Sequence, residues 1–445
     1  MTQTLLPVPV DRSFQERLEA NADALAEAIE VNRHIVASPD GLNRVPLPLR
    51  PVDVAHLFDR STTWVKNVAA EINDLDVARD SNHVRQFYPD DVCRIRRKTR
   101  SKPVPPVGAR AQVVAVINQK GGVGKTTTSV NLAQDLARSG YRVLMVDLDG
   151  QASATASFLV GDTAIAEASA ETKLVNPASL PIGALDTIGR VLLRDPNIEP
   201  AKIHEITRHT HWPNVDIVLS SYDFDEVVMR LVNELVDELY ERRRGGEIPP
   251  SEQVHGRLMK ALHEIPSELY DVVLLDCSPS LSHMTTLVMA AADGLIIPSP
   301  PRNYDIESLL GFLTTTASWL EVFNNRDTAE EDRLRTPAWH CYLLTQVQRS
   351  SESEDRIMQL LRQVFPEIIK EEVARSEILE RSGAGAATIY EVQTDGNATA
   401  TRGASAMRRK LAPIHSEILG LIGKEWKRWA DANVAGGKSK EGGES

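Results

Sequence analysis

The stretch "VVAVINQKGGVGKTTTSVNLAQ", residues 113–134, decides the fold. "VVAVIN" is an apolar, β-branched run of strand length, and "TTTSVNLAQDLARSG" carries apolar residues at helical spacing up to Gly140. Between them lies "KGGVGKTT", residues 120–127. Strand, glycine-rich turn and helix in this order are the setting of a phosphate-binding loop. The backbone amides of Gly122, Val123, Gly124, Lys125 and Thr126 would cradle phosphates at the helix N-terminus, where the helix dipole favours anions, with Gly121 and Thr127 flanking them. Lys125 is placed to hold the β- and γ-phosphates of a nucleoside triphosphate, and the Thr126 hydroxyl to ligate Mg2+. A dinucleotide-binding turn needs no lysine and fits poorly. The loop by itself leaves a second lysine, Lys120, without a task.

Outward from the loop the pattern repeats. "RVLMVDLD" (142–149) is a second buried strand and completes a strand–helix–strand unit. Further buried runs read at 215–221, 271–278, 294–300 and 340–347, with helical patterns between them. The expected fold class is α/β, a doubly wound, mostly parallel sheet of the P-loop type. Residues 160–205 and 240–252 are less regular and read as insertions or loops. Asp147, Asp149 and Asp276 stand at strand ends in otherwise apolar segments, where an unpaired carboxylate is expensive to bury.

The sequence Lys120-Gly121-Gly122-x-Gly124-Lys125-Thr126-Thr127 is similar to the deviant Walker A motif of the ParA/MinD group, and the rest of the domain resembles ParA. "VDLDGQASAT" resembles that family's "DxDPQ-x-N-x-T" segment: Asp147, Asp149 and Gln151 match, while Gly150 and Ser153 replace the usual proline and asparagine. "YDVVLLDCSPSLS" resembles its Walker B segment, and "ADGLIIPSPPRNYDIESL" the next strand and loop. The resemblance covers roughly residues 112–425. It implies ATP and Mg2+ as cofactors and a homodimer in which Lys120 reaches the partner copy's phosphates, as an arginine finger does in related enzymes. It implies that Asp276 holds the metal through water, that Asp147 supports Thr126 and the metal, and that Asp149 positions the attacking water. It also implies non-specific DNA binding by the ATP dimer and stimulation by a ParB-like centromere-binding adaptor. Arg349 holds the place of the family's basic segment after "LLT-x-x", and Arg375 that of the arginine in "I-P-R", although Val373 and Ala374 replace Ile-Pro.

Ahead of this domain the composition shifts. Residues 41–102 carry 12 Lys/Arg against 8 Asp/Glu, in a chain of net charge −12. Such asymmetry suggests a nucleic-acid-facing part joined to an acidic body, and a solvated linker is the competing reading. "VDVAHLFDRSTTWVKNVAAEI" (52–72) reads as two short helices with a turn at "DRS". Ala55 and Leu57 on the first helix and Val65 on the second match the packing of a helix-turn-helix. Asp59 stands where glycine is usual, and Asp tolerates the left-handed conformation. Ser61, Thr62, Thr63 and Lys66 would then face a DNA groove, against the plainer reading of a helical hairpin. "VRQFYPDDVCRIR" (84–96) resembles the segment that follows the helix-turn-helix in MerR-like winged domains, and "RIRRKTRSK" adds Arg94, Arg96 and Arg97 as DNA candidates.

The expected order is an N-terminal helix over 1–40 offered as a dimer contact, a winged helix-turn-helix DNA-binding domain over 41–102, a linker over 103–112, a ParA-type ATPase domain over 113–432 and a disordered tail over 433–445. Family members of this order are plasmid partition ATPases that also repress their own operon, so an operator sequence joins the expected partners. No run of 18 apolar residues and no signal-peptide pattern are found, which suggests a cytoplasmic protein and disfavours a membrane partner, and the family resemblance implies association with the nucleoid. Cys93, Cys277 and Cys341 are scattered, which argues against a disulfide framework, a zinc site or an iron–sulfur cluster. Two alternatives stay open. One is a MinD-like membrane-associated positioning ATPase, for which "LGLIGKEWKRWADAN" offers Trp426 and Trp429 among basic residues. The other is a transcriptional repressor switched by ATP, built on the same residues.

Overall fold

The computed structural model describes residues 45–72, 75, 77–159, 187–194, 200–221, 224–246, 253–280, 283–323, 335–348, 351–382, 388–392 and 398–441. The helix expected within residues 1–40 lies outside the described residues. Among the described residues no helix is long and apolar enough to cross a membrane.

The described residues open with a short strand, β1 (Val45–Pro46), followed by a small helical module. Helix α1 (Pro51–Leu57) opens on a proline, whose missing N–H costs nothing at the first helical position, and Asp53 accepts from the Arg50 backbone N–H at 2.9 Å. The chain then reverses at Asp59, which adopts φ +49°. Helix α2 (Thr62–Glu71) starts under a cap in which Ser61 Oγ accepts from the Trp64 N–H at 3.2 Å. Across a turn held by Asp80, which accepts from the Asn82 and Val84 amides at 2.9 Å each, Arg79 bridges antiparallel to Arg85. Helix α3 (Pro89–Thr99) follows. Val54, Ala55, Phe58, Val65, Val68 and Ile95 give this module its own core.

The larger domain is built on β2 (Gln112–Val116), helix α4 (Lys125–Arg138) and β3 (Val143–Leu148), followed by β4 (Thr207–His209), β5 (Val215–Val218), helix α5 (Phe224–Arg243), β6 (Val272–Cys277), helix α6 (His283–Ala291), β7 (Gly294–Ser299), helix α7 (Asn303–Phe323) and β8 (Trp339–Leu344). The seven strands lie in the order β4-β5-β3-β6-β2-β7-β8, all parallel except the β4 edge. Alternation along β2 makes three layers. Val114 and Val116 face α4 and the C-terminal helix α8 (Ala398–Glu441), whereas Val113 and Ala115 face α5, α6 and α7. Burial on both faces explains the continuous apolar runs. The phosphate loop leaves the carboxyl end of β2, with β6 and β3 on one side and β7 on the other, which is where doubly wound sheets bind ligands.

Two joints attach the module to this domain. β1 pairs antiparallel with β9 (Glu391–Val392), and α3 lies across the end of α4. Gly140 ends α4 at φ +84°, and a Cβ there would come within 2.8 Å of the Val92 backbone, so only glycine lets α3 approach this closely. Helix α8 runs through Glu441, past residue 433 where the tail was expected to begin.

Candidate nucleotide site and the neighbouring basic residues

Gly122 (φ +70°) and Gly124 (φ +92°) both take left-handed conformations that shape the loop over residues 121–127. A Cβ at Gly122 would meet nothing within 4 Å, so the loop faces open space. Lys125, at the start of α4, is 6% exposed, and its Nζ donates to the Lys120 carbonyl at 2.9 Å. Burial draws its pKa below the usual lysine range, opposed by Asp276. Lys120 turns its own ammonium to Asp305 Oδ1 at 2.8 Å, at the start of α7. The loop is buttressed from β8: Thr345 Oγ1 donates to the Val123 carbonyl at 2.8 Å, and the Gln346 amide donates to the Gly122 carbonyl.

The carboxylates lie beside the loop. Asp276, fully buried at the end of β6, accepts from Ser129 Oγ at 2.9 Å, and the nearby Thr126 hydroxyl works against the rise of its pKa. Its Oδ2 is buried and has no hydrogen-bond partner among the described residues. Asp147 is its register neighbour on β3 and is also fully buried. There Thr155 donates to Oδ2 from both N–H and Oγ1, at 2.8 Å each, and the Asp149 N–H approaches Oδ1 at 3.2 Å. Burial raises the pKa of both carboxyls, and nearby negative charge adds to it: Asp276 for Asp147, and Asp149 for Asp276. Asp149 is half-buried and accepts from the Gln151 N–H at 3.0 Å. These residues fit a magnesium–triphosphate: a buried carboxylate oxygen of Asp276 lacks a partner next to the Thr126 hydroxyl, and the loop before it is open. Sequence reasoning missed Ser129, Thr155, Asp305, Thr345 and Gln346. Ser129 alone had a signal, standing one helical turn after Lys125.

The DNA candidates divide. Ser61, Thr62, Thr63 and Lys66 are exposed together on α2, although the Ser61 hydroxyl is used as the helix cap. Arg94 and Arg97 are exposed on α3. Arg96 is corrected: it is 4% exposed, and its guanidinium donates to the carbonyls of Ser139 at 2.7 Å and Ser101 at 2.9 Å. It also lies over the rings of Phe58 and Tyr141, at 4.8 and 4.4 Å. It therefore clamps α3 to the end of α4 and offers nothing to DNA. Arg375 pairs with Glu380 at 3.1 Å and lines a small cavity with Gly124 and Thr127, close to the phosphate loop. Arg349 lies outside the described residues.

Comparison with known proteins bears on the same residues. A family described as an AAA domain matches residues 111–327. A Rhizobium rhizogenes protein provisionally named replication protein A is 26% identical over 435 residues, 95% of this chain and 98% of that one. The chromosome partitioning protein ParA of Myxococcus xanthus is 30% identical over 225 residues, 51% of this chain and 64% of that one. A solved structure described as a partition protein has the same fold, with a TM-score of 0.50, 20% identity, and coverage of 84% of this chain and 95% of that one. With a two-lysine phosphate loop at the centre of a mostly parallel seven-stranded sheet, the chain is similar to this AAA-domain family over residues 111–327 and, over about half its length, to a ParA partitioning protein.

Proposed function

We propose that this protein is a DNA-partition ATPase, hydrolysing ATP with Mg2+ as an ATP-bound homodimer. The observation that carries the reading is the juxtaposition of a two-lysine loop with a buried, unpartnered oxygen of Asp276 beside Thr126. Thr126 and Asp276 would hold the metal, whose charge offsets that of the phosphates. Lys125 gives up the Lys120 carbonyl and takes the β- and γ-phosphates. Lys120, partly exposed, leaves Asp305 and stabilises the transferring phosphoryl group in the facing copy. Asp149 positions the attacking water. Asp147 acts less directly, because Thr155 and Asp149 already occupy its oxygens.

Non-specific DNA is the track, a ParB-like adaptor stimulates hydrolysis, and the N-terminal module reads an operator through the exposed face of α2, which locates the protein on the nucleoid. Relatives named for partition and replication support the general role. The membrane-positioning alternative loses its main support, because Trp426 is 2% exposed and packs against Tyr141 at 5.8 Å. The test is phosphate release paired with sedimentation. Wild type should hydrolyse ATP and dimerise with it. Lys120→Gln should bind ATP but form no ATP-dependent dimer and lose about 10^3-fold in rate. An unimpaired dimer in that variant would remove Lys120 from the partner's site.

A further inference from the structure

A cavity of about 600 Å³ opens where α1 and the chain ahead of it face α4 and α8. Four guanidinium groups line it from three elements: Arg50 ahead of α1, Arg138 at the end of α4, and Arg408 and Arg409 on α8. None of these comes from the phosphate loop. Asp53 is the single carboxylate among its described lining residues, and Arg50 already holds it at 3.3 Å. Arg408 donates to the Ile389 carbonyl, and Arg409 to Ser405 Oγ at 3.1 Å. Arg138 lies 5.5 Å from the Tyr390 ring centre and 3.9 Å from Asp135, and its buried Nε has no hydrogen-bond partner among the described residues.

Positive charges crowded in a half-buried cleft repel one another, and a cleft lined by one sign concentrates the opposite ion. That excess is the more telling in a chain of net charge −12. Guanidinium forks match phosphate oxygens in a bidentate manner, which a cluster of lysines would not. Leu49 and Leu57 give the cavity an apolar wall for the uncharged part of a ligand. Its volume suits a small molecule, since ligand pockets run from roughly 300 to 1,000 Å³.

We propose that this cleft is a second anion site, taking a small phosphorylated ligand of nucleotide size and joining the N-terminal module to the sheet domain. The proposal does not depend on hydrolysis at the phosphate loop. Full-length protein is loaded with one equivalent of Mg2+–ADP, enough to fill the phosphate loop without an excess that would occupy the cleft, and titrated calorimetrically with inorganic pyrophosphate and, separately, with 5′-AMP, at one fixed low salt concentration. One saturable binding event for either probe is expected. It should weaken at least tenfold in Arg50→Ala and in Arg409→Ala, both exposed positions whose variants keep a cooperative thermal transition. Lys125→Ala, tested without ADP, should keep it, which separates failure of the phosphate loop from failure of this site. The absence of a binding event, or one that both arginine variants leave unchanged, overturns the proposal. A short random duplex forms the last arm: binding of the duplex alone, lost in the arginine variants, would assign the cleft to a DNA backbone and also overturn it.

Discussion

Lys125 and Arg96 are both nearly inaccessible cations, at 6% and 4% exposure, and neither is paired with a carboxylate among the described residues. Their surroundings differ. Arg96 is enclosed, with carbonyls from two segments and two aromatic rings against its guanidinium. Lys125 has three donors, one carbonyl, and an open loop of left-handed glycines ahead of it. A buried cation enclosed by carbonyls and rings of neighbouring elements is a joint. One with its partners incomplete, next to an orphaned carboxylate oxygen, is a site.

Lys125→Ala should break this contrast most sharply. ATP binding by calorimetry should vanish and phosphate release should drop by about 100-fold or more, while thermal stability holds. Normal turnover would end the phosphate-loop assignment. Arg96→Ala should behave in the opposite way. Removing it orphans buried carbonyls and strips two rings of a cation, so urea unfolding should lose about 2–4 kcal/mol, with hydrolysis per folded molecule nearly unchanged. Arg97→Ala on the exposed side of the same helix should stay within about 0.5 kcal/mol, and a larger loss would mean that Arg97 also packs.

The smallest effects sharpen the comparison inside α2. Ser61→Ala should cost about 1 kcal/mol through its cap, whatever it does to DNA. Lys66→Ala should spare stability and weaken footprinting of the operator. If Lys66→Ala leaves the footprint intact, α2 is not the reading helix.

The same contrast shows what was legible in the sequence. Strands buried on both faces, such as β2, β3 and β6, announce themselves as apolar runs, and the loop's chemistry dictates its glycines and lysines. Asp59 was readable because few residues accept its φ. β4 and the β1–β9 pair were not, because strands of two or three residues exist only through distant partners. Arg96 read as a DNA contact because its direction depends on α3 docking against Gly140, which periodicity does not encode. Thr155 and Asp305 serve the site from other elements, so spacing along the chain gave them no mark.

The most direct test of the central claim is fluorescence anisotropy on a random-sequence duplex with ATP, ADP or no nucleotide. Salt is held fixed near the physiological value, because phosphate contacts dominate such binding. The account predicts tight binding with ATP only, lost in Lys120→Gln. No binding with ATP, or equal binding in all three states, would contradict a partition motor that uses DNA as its track.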